Sequence, residues 1–89
     1  MNINMPYEIS GNNLVEIRKL RGLTQKDLAI AAYTNQQTIS ELESGNRNPS
    51  LLLAYSISRV LKVSIYTIWQ LEYIDSPVKL KMYDDDRRK

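Results

Sequence analysis

Thr24, Asn35, Ser50 and Ser64 each stand directly before a short run of apolar residues at helical spacing. Thr, Asn and Ser are the residue types whose side-chain oxygen accepts from the free N–H groups of a helix's first turn. Their positions leave room for helices of about two or three turns and no longer. An earlier helix is marked by Leu14, Ile17 and Leu20, with Ser10 or Asn12 as its candidate cap and Gly22 as its stop. The second begins at Thr24-Gln25-Lys26-Asp27, which has capping-box spacing with Asp in the place of Glu, and it turns Leu28, Ala29 and Ala32 inward. The third runs from about Gln36 to Glu43 with Ile39 and Leu42 inward, and Gly45 ends it. The fourth has Leu51, Ala54, Ile57 and Leu61 as its buried stripe. The fifth has Ile65 and Ile68 inward, with Trp69 partly so. The expected fold class is all-α: five short helices joined by short loops.

The flanks differ from this pattern. Residues 1–12 are polar, carry Pro6 and Gly11, and read as a loose N-terminal arm. Residues 13–73 form the expected domain. Residues 74–89 form a C-terminal tail, where Pro77 forbids helix continuation. In that tail Val78-Lys79-Leu80-Lys81-Met82 alternates like a strand, and Asp84 to Lys89 is a charge run expected to fray.

Composition narrows the chemistry. A chain of 89 residues is one domain with a thin stability margin. It has no Cys and no His, which removes the usual zinc ligands, the thiolate nucleophile and the commonest general base. No glycine-rich phosphate loop is present, and the first 71 residues hold no carboxylate cluster. Neither enzymatic activity, a metal nor a cofactor is expected. There is no basic leader with a long apolar run and no bilayer-length apolar stretch, so a cytoplasmic protein without a membrane partner is expected. The net charge of +2 is too small to announce nucleic acid by itself. Residues 1–71 carry seven Lys/Arg against five Asp/Glu, while the remainder balances at five of each.

The informative span is Thr24 to Glu43. Two short helices joined by a tight turn need a small side chain where they cross, and Ala29 supplies it. With Ile39 and Leu42 inward, the outer face of the third helix is Gln36, Gln37, Ser40 and Glu41. Amide side chains at a helix N-terminus suit the reading of base edges, because Gln pairs with adenine through two hydrogen bonds. Gln25, at the start of the preceding helix, is placed to touch a phosphate. Asn35 and Thr38 near the N-terminus of the third helix, and Asn46, Arg47 and Asn48 just beyond it, are further phosphate candidates.

These residues carry a resemblance. Gly22-Leu23-Thr24-Gln25, Thr38-Ile39-Ser40 with Leu42-Glu43 and Gly45, and Arg47-Asn48-Pro49-Ser50, at these separations, resemble the lambdoid repressor and Cro (XRE, Cro/C1-type) helix-turn-helix family. The likeness runs over residues 13–71, with the helix-turn-helix itself at about 25–44. It implies a lambda-repressor-like fold and a sequence-specific regulator that binds double-stranded DNA, with the helix starting at Gln36 in the major groove. It further implies a homodimer acting as a repressor on a palindromic operator, base reading by Gln36 and Gln37 with Ser40 and Glu41 one turn on, phosphate contact by Gln25, and a structural ion pair between Arg18 and Glu43.

The chain departs from the family in several places. Tyr33 stands where the turn commonly has glycine, and Glu41 where Arg, Lys or Gln is common. Leu52, Leu53 and Tyr55 replace residues that are usually polar. They are either scattered surface apolars or, with Ile65, Tyr66 and Trp69, a candidate dimer interface. The alternative to a simple repressor is an antitoxin or other interaction module that binds a protein partner through residues 74–89 and represses its own operon.

Overall fold

The structure, a computed structural model, describes residues 7–73. In chain order these are strand β1 (Tyr7–Asn12), helices α1 (Leu14–Leu20), α2 (Gln25–Ala31), α3 (Gln36–Ser44), α4 (Leu51–Leu61) and α5 (Ile65–Ile68), and strand β2 (Trp69–Tyr73). Residues 1–6 and the tail 74–89, including the strand-like Val78–Met82, lie outside the described residues.

Local capping sets four of the helix starts. Thr24, Asn35, Ser50 and Ser64 all have extended backbones, and each side chain accepts from the N–H three residues on, at Asp27, Thr38, Leu53 and Thr67. The Thr24 box closes reciprocally, because the Thr24 N–H donates to Asp27 Oδ2 at 3.0 Å. That backbone bond, with the Thr24 hydroxyl, holds the Asp27 carboxyl below its ordinary range. At α1 the cap position is Asn13, whose side chain makes no cap bond. Asn12 serves instead, accepting the Leu14 N–H at 3.1 Å. Asn13 donates outward, through Nδ2 to the Thr67 carbonyl at 3.1 Å and through its N–H to the Ile68 carbonyl at 2.7 Å.

The all-α expectation needs correction. Tyr7–Asn12 is not a loose arm but a strand, paired antiparallel with Trp69–Tyr73. Ile9 faces Leu71 and Asn12 faces Trp69, and a bulge at Ser10 shifts the register between them. A two-stranded sheet is marginal when isolated. Here Trp69 (2% exposed) joins the core, and Ile9 packs against it.

The core consists of Leu14, Leu28, Ala29, Ala32, Ile39, Leu42, Ala54, Ile57, Leu61, Ile68 and Trp69. Two stripes read from the sequence overreach. Leu20, read on one helix face with Leu14 and Ile17, and Leu51, expected inside, are 83% and 78% exposed. Each step of three residues falls about 60° short of a full circle, so Leu20 has rotated away from Leu14, and Arg18 takes the buried position instead. Leu51, in the first turn of α4, lies at the edge of a stripe made by Ala54, Ile57, Ser58 and Leu61.

Gly45 caps α3 at φ +83°, a left-handed conformation that glycine adopts without steric cost. Tyr33 sits at φ +62° between α2 and α3 with 95% of its surface exposed. A left-handed conformation costs an L-residue about 1–2 kcal/mol. Tyr33→Gly is therefore expected to stabilise the domain by up to about 1 kcal/mol, after glycine's extra unfolded-state entropy is subtracted. Urea unfolding measures it, and a loss of stability would contradict the strain reading.

Candidate nucleic-acid interface

Helix α3 is held from beneath and open above. Ile39 and Leu42 are fully buried, while Gln36, Gln37 and Ser40 are exposed and Glu41 is half-buried. The crossing with α2 closes over Leu28 and Ala29, the latter 2% exposed. This orientation follows from the alternation of apolar and polar positions along α3.

A chain of polar contacts runs from α1 to the tip of α3. Arg18 Nε donates to Glu43 Oε2 at 2.5 Å, and its guanidinium also donates to the Leu23 carbonyl at 2.8 Å. Glu43 Oε1 accepts from Gln25 Nε2 at 2.9 Å. Gln25 Oε1 in turn accepts from Gln36 Nε2 at 3.3 Å. The side chains of Arg18 and Glu43 are only 10% and 6% exposed, so the anchor of this chain is buried and its far end is at the surface. An amide nitrogen carries two protons. Among the described residues Gln36 thus keeps one N–H and its carbonyl without a partner, which is the kind of donor–acceptor pair that an adenine edge matches. Gln25 Nε2 likewise keeps one N–H beyond the bond to Glu43.

A second group lies on the outer side of α3. Glu41 Oε1 accepts from Arg47 Nε at 2.8 Å, and Glu41 Oε2 accepts from Gln37 Nε2 at 3.3 Å. The Arg47 guanidinium, with help from Gln37, holds the Glu41 carboxyl below the usual range. Arg47 in the loop after α3 is thus brought to the outer face of that helix, and Asn46 and Asn48 beside it are exposed.

Not every predicted site residue fits its role. Thr38 is 8% exposed, and its N–H is spent on the Asn35 cap, so it offers little surface to a phosphate. The Asn35 side chain is exposed, with its oxygen occupied by that bond. Of the candidate dimer residues, Trp69 is sealed in the monomer core, because the sheet carries it there. Leu53 and Ile65 are half-buried against the same core. Leu52 (79%), Tyr55 (54%) and Tyr66 (74%) remain exposed, and the Arg59 guanidinium lies 5.8 Å from the Tyr55 ring centre. Leu71, missed in the sequence because the strand pairing was missed, joins Tyr66 along an open cavity of about 680 Å³. Among the described residues there is no cluster of His, Cys, Asp and Glu able to hold a metal, and no helix is long and apolar enough to cross a membrane.

A sequence profile described as helix-turn-helix matches residues 14–68. An HTH-type transcriptional regulator of Methanocaldococcus jannaschii is 41% identical over 61 residues, covering 68% of this chain and 92% of that protein. The HTH-type transcriptional regulator y4dJ of Sinorhizobium fredii is 35% identical over 57 residues, covering 64% and 74%. Among solved structures, the restriction-modification controller protein C.AhdI from Aeromonas hydrophila superimposes with a TM-score of 0.58 at 28% identity, covering 61% of this chain and 82% of that one. The chain belongs to the Cro/C1-type helix-turn-helix family of DNA-binding transcriptional regulators.

Proposed function

We propose that this protein is a cytoplasmic, homodimeric repressor that reads a palindromic operator with α3 in the major groove. The observation that carries this reading is the pair Gln36 and Gln37, exposed on a helix whose underside is fully buried, with Gln36 steadied by Gln25. Gln36 and Gln37 read base edges, with Ser40 and Glu41 a turn beyond. Gln25, Asn46, Arg47 and Asn48 contact the backbone, which supplies most of the affinity and makes it salt-dependent. The exposed Leu52, Tyr55 and Tyr66 supply apolar surface for a second copy.

Selection of bound sites from random duplex DNA tests the reading. The expected consensus has two-fold symmetry, with half-site centres about 34–36 Å apart. On that operator Gln36→Ala is expected to cost about 1–3 kcal/mol per half-site and to relax the choice of base at one position. Unchanged affinity and unchanged base preference in a mobility-shift series would refute the role of α3.

A further inference from the structure

The outer face of α3 carries a carboxylate, and each of its two oxygens has a partner within the protein. Glu41 holds Arg47 from the following loop at 2.8 Å and Gln37 from its own helix at 3.3 Å. The ion pair is at the surface, with side chains 51% and 32% exposed, so it contributes little as a structural staple. Its consequence falls on recognition. While the pair is closed, the Arg47 charge is offset by the carboxylate and its Nε–H is spent there, and one N–H of Gln37 is withheld from bases.

We infer that Glu41 is a specificity-determining residue that works by restraint, holding Arg47 and Gln37 back from DNA until a base edge that can donate to the carboxylate relieves them. The base chemistry selects one candidate. Cytosine presents an amino donor alone in the major groove, whereas adenine sets its amino donor beside the N7 acceptor, and guanine O6 and N7 and thymine O4 are acceptors that face an anion unfavourably. On unmatched DNA Glu41 keeps its partners, and the protein loses a phosphate contact. On a site with cytosine at that position, the carboxylate exchanges an internal partner for the base and Arg47 is released to the backbone. The inference rests on α3 being the groove-reading helix.

The test is a double-mutant cycle with Glu41→Gln, Arg47→Gln and the double variant. Each protein is titrated with the selected operator and with an unrelated duplex over a salt series. Glu41→Gln is expected to tighten binding to the unrelated duplex roughly 5- to 10-fold near 0.1 M salt and to steepen the salt slope by about 0.9, the signature of one added phosphate contact. The ratio of operator to unrelated affinity falls accordingly. In the Arg47→Gln background the same change is expected to alter binding less than about twofold, because there is no arginine to release. An equal gain in both backgrounds means simple removal of a negative charge and overturns the inference, as does the absence of any gain. NMR of the Arg47 Nε–H in the free protein reads the clamp without DNA: its signal is expected to shift in Glu41→Gln, and an unmoved signal also counts against restraint. If that signal shifts but no protein of the set binds any duplex, the failure lies in the assignment of α3 as the reading helix, and the inference falls with it.

Discussion

Glu43→Ala is expected to remove about 3–5 kcal/mol of folding stability, a large share of what a small domain has. Glu43 is the meeting point of three elements. It accepts from Arg18 of α1 twice, at 2.5 and 3.3 Å, and from Gln25 of α2 at 2.9 Å, while itself standing on α3. Deleting the carboxylate leaves the Arg18 cation, whose side chain is 10% exposed, with the Leu23 carbonyl as its remaining partner. The energetic asymmetry is the central point. A buried ion pair adds modest net stability, but half of one is strongly unfavourable because the survivor is desolvated and uncompensated. Replacing both partners by apolar residues, as in Arg18→Met with Glu43→Leu, is accordingly expected to recover most of the loss. Urea unfolding followed by circular dichroism measures all of these. A loss below about 1 kcal/mol for Glu43→Ala would show that water reaches the pair more freely than its exposure indicates.

Trp69→Ala is expected to cost about 3–5 kcal/mol by the ordinary penalty for emptying a large buried site. Its effect should also extend to the sheet. Trp69 is the first residue of β2, pairs with Asn12, and is the side chain through which the strand enters the core. Without it β1 and β2 keep their ladder but lose much of their anchorage, and an unanchored two-stranded sheet is marginal. Hydrogen exchange at Ile9 and Gly11 should therefore rise more than at α3. Uniform exchange across the whole domain would instead mean that sheet and helices unfold as one unit. The wild-type protein offers a direct check, since its single tryptophan should emit like a buried indole.

The helical part was legible because its signals are local. Thr24, Asn35, Ser50 and Ser64 reveal themselves as caps through the chemistry of one side chain and one N–H three residues away. The outward face of α3 follows from burying Ile39 and Leu42 at helical spacing. The family likeness added the Arg18–Glu43 pair, which no local rule would have suggested across 25 residues. Where the reading slipped, a non-local event decided. Leu20 looks like a core leucine by spacing, but no element among the described residues covers it. Thr38 looks like a polar residue on a reading helix, but the fold turns it inward. The Glu41–Arg47 contact joins a helix to a loop and depends on how that loop leaves Gly45.

The amino-acid sequence by itself determined the helices, their caps, the crossing at Ala29 and the polar face of α3, because each rests on interactions within a few residues or on a periodicity that repeats every turn. The tertiary structure alone decided that Tyr7–Asn12 is a strand, that Trp69 is core, and which polar side chains find one another. Ser10 reaches the Gln70 carbonyl across 60 residues of chain. A strand needs a partner to satisfy its backbone groups, and here that partner lies five helices away in the chain, beside Tyr7–Asn12 only because the packed helices bring the two segments together.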